Sequence, residues 1–148
     1  MARLTVPPNF IGTPGLDTLI GKQLNVSPAI GIDILTGGLI YALSGKDTIK
    51  GTGAASIGDL NQGGNGTGIA NSGSLNTENG EDAIAGTGKG GNGGDVDSGN
   101  GGDGGIGTGI ANSGSLNTGD GEDAITGTGK GGNGGEILEG KDRDGVWL

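Results

Sequence analysis

The stretch GTGIANSGSLNTENGEDAIAGTGKGGNGG, Gly66–Gly94, returns as GTGIANSGSLNTGDGEDAITGTGKGGNGG, Gly107–Gly135. The two copies lie 41 residues apart and differ only at Glu78/Gly119, Asn79/Asp120 and Ala85/Thr126. A unit built twice at this length implies neighbouring copies that stack and share a core. Apolar residues within the copies are sparse and phased: Ile69, Leu75, Ile84 and Val96, then Ile110, Leu116, Ile125 and Ile137. Each has Gly or polar neighbours, the pattern of short strands that send one side chain inward. Asn-Gly pairs at 65–66, 79–80, 92–93, 100–101 and 133–134 mark tight turns. The pattern predicts an all-β fold, a parallel β-solenoid or β-roll of short strands and Gly/Asn-rich turns. At about 20 residues per coil, each 41-residue unit would supply two coils. An alternative for the Gly-rich run from Lys89 to Gly109 is a polyglycine II bundle, because its glycines often recur every third residue.

Composition narrows the chemistry. Glycine supplies 40 of the 148 residues, and the only aromatics are Phe10, Tyr41 and Trp147. A thick apolar core cannot be built from this chain, so ladder hydrogen bonds, stacked Ile/Leu rows, ions or other subunits must supply order. The absence of Cys and His removes disulfides, thiol nucleophiles and His-based acid–base work, so the expectation is a non-enzyme without catalytic residues. Residues 1–57 carry a net charge of +1 and residues 58–148 a net of −10. This divides the chain into an N-terminal part, 1–57, of diverged repeats, and a Gly-rich acidic part, 58–148, in one continuous solenoid. The acidic surface disfavours nucleic acid. Ala29–Leu43 is apolar but short, and Asp33, Gly31, Gly37 and Gly38 interrupt it, so no membrane span is expected. Nor does an apolar secretory core follow Met1.

A shorter motif, Gly-x-Asp-(Thr/Ala)-(Ile/Leu), occurs at Gly15–Leu19, Gly45–Ile49, Gly80–Ile84 and Gly121–Ile125, at intervals of 30, 35 and 41 residues. Older copies of the repeat therefore extend into the first half. Thr118–Thr126 (TGDGEDAIT) fits the nonapeptide in which glycines shape a turn, an Asp supplies a carboxylate and an apolar residue anchors the strand. Here the chain resembles the RTX, haemolysin-type calcium-binding repeat proteins. The frame Gly-Ile-x-Asn-x-Gly-x-Leu-x-Thr at 68–77 and 109–118 resembles variant repeats of cyanobacterial members. The resemblance implies a β-roll, Ca²⁺ in the turns, and an extracellular or cell-surface location reached without a classical signal peptide. It implies Asp17, Asp47, Asp82 and Asp123 as ligands, with Gly80, Gly119 and Gly121 shaping the turns and offering carbonyls. The same Asp side chains can instead cap turns through local backbone hydrogen bonds, and Asn71 and Asn112 can form an Asn ladder if coils stack in register.

The apolar segment 28–43 reads as a cap or as an adhesive end, and Val146-Trp147-Leu148 as a second apolar end. Apolar ends on a polar shaft suggest a homo-oligomer or filament, the subunit of a surface fibre, sheath or matrix. The alternative is a calcium-binding module of a secreted toxin, enzyme or adhesin. A third reading is a glycan or ice surface built from Thr67, Thr77 and Thr87 and their copies Thr108, Thr118 and Thr128.

Overall fold

The computed structural model describes residues 2–57, 61–97 and 99–137. It is all-β, with twelve short strands: β1 Leu4–Val6, β2 Phe10–Ile11, β3 Thr18–Val26, β4 Ala29–Ile34, β5 Leu39–Tyr41, β6 Thr48–Ala55, β7 Gly66–Asn71, β8 Ser74–Asn76, β9 Ala83–Lys89, β10 Gly107–Asn112, β11 Ser115–Asn117 and β12 Ala124–Lys130. They form three four-stranded sheets, ordered β1-β4-β7-β10, β2-β5-β8-β11 and β3-β6-β9-β12. All pairings between these strands are parallel. The chain thus visits the three sheets in turn, four times over, and each visit is one coil. This arrangement is consistent with the expected β-solenoid or roll. The N-terminal and Gly-rich parts run into the same sheets.

Each sheet contributes one inward column of large side chains. In the first sheet it is Leu4, Ile32, Ile69 and Ile110. In the second it is Phe10, Ile40, Leu75 and Leu116. In the third it is Leu19, Ile49, Ile84 and Ile125. The members in the two middle coils are fully buried and form the core with Val6 and Ile34. One large residue per strand, or two in β1 and β4, gives a thin core, as the sparse pattern requires.

Two expectations are corrected by the coil path. Each 41-residue unit makes one coil, because Gly107–Asn112 pairs with Gly66–Asn71 directly. Val96 and Ile137, expected as strand anchors, lie outside the named strands and pair with each other in an isolated bridge. The segment 28–43, read as a cap or adhesive end, lies in the second coil and is covered by coils on both sides. Its Ile and Leu density reflects an interior position. Val146-Trp147-Leu148 lies outside the described residues.

The remainder of each long unit is a glycine excursion. Gly91 N–H donates to Gly64 O, Gly105 N–H to Gly91 O and Gly132 N–H to Gly105 O, at 2.8–2.9 Å. Three residues along, Gly102 N–H donates to Gly94 O and Gly135 N–H to Gly102 O, at 2.9 and 2.7 Å. The three-residue interval is the one expected for polyglycine II. Non-glycine residues Gln62, Asn65, Asn92, Asp95, Asp103, Asn133 and Glu136 occupy the remaining positions and are exposed.

Glycine is required here by close approach. A Cβ on Gly91 would fall inside the Ser56 carbonyl oxygen, whereas one on Gly131 would meet only Gly105 O at 3.6 Å. Gly91→Ala is therefore expected to cost about 1–3 kcal/mol or more through overpacking. Gly131→Ala is expected to be neutral, or to stabilise by about 0.4–1 kcal/mol by restricting the unfolded chain. Paired denaturant melts measure both; equal losses would contradict the assigned packing.

Candidate functional site

The repeated Asp precedes the third strand of every coil. Parallel pairing brings Asp17, Asp47, Asp82 and Asp123, far apart in sequence, onto successive rungs of one column. The Asp17 N–H donates to Asp47 Oδ1 at 2.8 Å, Asp47 N–H to Asp82 Oδ1 at 2.8 Å, and Asp82 N–H to Asp123 Oδ1 at 3.0 Å. Their carbonyls continue the ladder: Asp17 O accepts from Thr48 N–H, Asp47 O from Ala83 N–H and Asp82 O from Ala124 N–H, at 2.8–2.9 Å. The carboxylates of Asp47, Asp82 and Asp123 thus each cap the coil before. Asp17, in the first coil, makes a local cap instead: its Oδ2 accepts from the Thr13 N–H at 2.6 Å and hydroxyl at 3.3 Å.

The three expected glycines stand beside this column. Gly80 forms a parallel bridge with Gly45 and donates its N–H to Asp120 O at 3.0 Å. Gly121 stacks on Gly80, where a Cβ would collide with the Gly80 carbonyl. Gly119 has φ of 73° and shares its place in the coil with Glu78, which holds φ of 59°. Asn76 Oδ1 accepts from the Glu78 N–H at 3.1 Å and so supports that conformation.

Asp47 and Asp82 are 1% and 2% exposed, and the Oδ2 atom of each is buried without a hydrogen-bond partner. The donor set is all oxygen, which suits a hard cation better than zinc or copper. Among the described residues, however, no three acidic side chains are grouped to hold one metal ion. Oδ1 of Asp47, Asp82 and Asp123 is committed to backbone N–H groups. The buried carboxylate oxygens left without a partner are Oδ2 of Asp47 and Asp82. Among the described residues, no helix is long and apolar enough to cross a membrane.

No family model, curated protein or solved structure matches this chain. Its chemistry is therefore read from its own residues.

Other ladders share the repeat register. Asn71 Nδ2 donates to Asn112 Oδ1 at 2.7 Å, the expected Asn ladder, and Asn117 Nδ2 to Asn76 Oδ1 at 3.0 Å. Along the glycine excursion the exposed side chains of Gln62, Asn65, Asn92 and Asp95 accept the N–H groups of Asp103, Ile106, Asn133 and Glu136 at 2.7–3.2 Å. These roles escape a sequence reading, although their shared 41-residue offset was the available signal. The three Thr rows do not make one face. Thr67 and Thr108 lie on the first sheet, Thr87 and Thr128 on the third, and Thr77 is buried.

Burial raises the Asp47 pKa, the Asp17 N–H opposes the rise, and the charges of Asp82 and Asp17 add to it. The folded state therefore holds this proton more tightly than the unfolded chain. Its contribution to stability is greatest below the ordinary Asp range and is lost as pH rises through the raised native value. Asp47→Asn keeps an acceptor for the Asp17 N–H, removes the charge, and offers an amide that can donate as Asn71 does. It is expected to stabilise the fold at pH 7 by about 1 kcal/mol and to weaken the acid-favoured trend. Asp47→Ala, which leaves the Asp17 N–H unpaired, is expected to cost about 1–3 kcal/mol. Melts of both variants from pH 3 to 8 provide the check.

A second titration tests the register between the second and third coils. The Glu78 carboxylate raises the Tyr41 pKa, by hydrogen bonding first, with desolvation and its negative charge adding to the rise. As Tyr41 is the only tyrosine, phenolate absorbance reports it directly. Glu78→Gln should move the titration midpoint down towards the ordinary value of about 10. An unmoved midpoint would separate the two residues.

Proposed function

We propose that this protein is a structural, extracellular or cell-surface repeat protein, a non-catalytic β-solenoid with a polyglycine II flank, that self-assembles into a fibre, sheath or matrix. The observation that carries the reading is the state of its two ends. Among the described residues every inner strand is paired on both sides, but β1, β2 and β3 at one end and β10, β11 and β12 at the other have a neighbour on one side only. Unpaired parallel edges are templates for further pairing unless something covers them. The last coil also leaves Ile125 52% exposed, where its counterpart Ile84 is 1% exposed. A self-assembling subunit uses such edges; a monomeric binding module must hide them.

The orphaned oxygens of Asp47 and Asp82 favour a second reading, a calcium-binding module of a secreted toxin, enzyme or adhesin. In it those two carboxylates hold the ion, whose charge offsets the repulsion along the column. Negative-stain microscopy of the purified protein, with Ca²⁺ and with chelator, separates the readings. Filaments in both conditions are expected for the structural role, and monomers at high concentration in both would remove it. Folding only on addition of Ca²⁺, seen by circular dichroism, would favour the module.

A further inference from the structure

We infer that the fourth coil is the docking face for the first coil of a second copy, so that subunits join head to tail in the register of the internal rungs. This rests on the self-assembly reading and specifies its interface. Gly15 is the first support. In the column Gly15, Gly45, Gly80, Gly121, a Cβ on each later glycine would collide with the carbonyl of the glycine one coil earlier. Among the described residues no earlier coil lies beneath Gly15. A Cβ there would meet only Thr13 Oγ1, at 3.7 Å, so no contact among the described residues calls for glycine. Head-to-tail stacking sets Gly15 over Gly121 of the next copy and makes the same demand on it as on the other three.

The remaining columns close in the same way. The fourth coil ends the apolar columns with Ile110, Leu116 and Ile125, and the first coil begins them with Leu4, Phe10 and Leu19. All three junctions are therefore apolar on apolar. Asn112 would meet Val6, an Asn–aliphatic contact of the kind that Ile34 and Asn71 already make between the second and third coils. The polar ladder also has an opening: both Thr13 donors use Oδ2 of Asp17, which leaves Oδ1 to accept the Asp123 N–H, as Asp47 Oδ1 accepts from Asp17. Charge is complementary, with a net of +1 over residues 2–28 and −3 over residues 107–137. Such a joint is heterologous and does not close on itself, so it propagates.

The chain contains no Cys, which makes a cross-link test clean. Ile20 and Thr126 are both exposed and end the same outward column, through Lys50 and Ala85. On adjacent rungs their Cα atoms would stand about 4.8 Å apart, within disulfide range. The double variant Ile20→Cys/Thr126→Cys, mildly oxidised, should give a ladder of multimers on a non-reducing gel, and neither single variant should. Gly15→Ala should leave the circular dichroism and melting of the monomer unchanged while raising the concentration needed for assembly about tenfold or more. Filaments that form without the disulfide ladder, or a dimer from Thr126→Cys alone, would overturn this register while leaving self-assembly standing. Unassembled protein under all conditions would overturn both. An unchanged assembly threshold for Gly15→Ala would remove the steric support and count against the joint.

Discussion

Backbone-to-backbone closeness is the interaction on which this molecule depends. The first and third sheets face each other through glycines: a Cβ on Gly51 would strike the Gly68 carbonyl, and one on Gly86 the Gly109 carbonyl. Beyond the strands, the same closeness continues into the excursions, where N–H groups and carbonyls of Gly64, Gly91, Gly105 and Gly132 form a relay. Apolar burial alone is a weak source of order in a chain with so few large side chains. Here, packing of main chain on main chain supplies dispersion contacts, and the excursions pair N–H with carbonyl from one coil to the next. Glycine's entropic cost is the necessary counterpart of that density.

The aspartate column sets a different problem. Capping the preceding coil with a carboxylate satisfies an N–H that parallel pairing leaves open, and a charge-assisted hydrogen bond of this kind is stronger than a neutral one. Stacking the same residue on every rung places like charges above one another, with Asp47 and Asp82 out of water. Local satisfaction and long-range repulsion therefore grow together as coils are added. The Asn71–Asn112 ladder, built on the first sheet of the same coils, achieves register without that conflict.

Much of the fold was legible in the sequence because repetition fixes register. The Gly-x-Asp-(Thr/Ala)-(Ile/Leu) motif occurs once in each of the four coils, although the expected coil of about 20 residues hid that correspondence and with it the stacking of the four Asp residues. Coil length was misread because Val96 and Ile137 look like strand anchors, while their surroundings obey the three-residue spacing of glycine. A two-residue alternation and a three-residue interval compete in that stretch, and the close approaches decide for the latter. What each Asp does was only half legible. A local turn cap and an inter-coil cap demand the same side chain, and only the stacked backbone tells them apart. The Tyr41–Glu78 contact left no signal, since it joins positions that become neighbours only once the coils are aligned.

The near-identity of the third and fourth coils has a consequence for heredity. Because each unit is a whole coil, gain or loss of one 41-residue copy through unequal recombination adds or removes a complete rung, about 4.8 Å of height. Every remaining junction is then one the molecule already possesses. Length can drift by whole steps between generations without any new contact having to evolve.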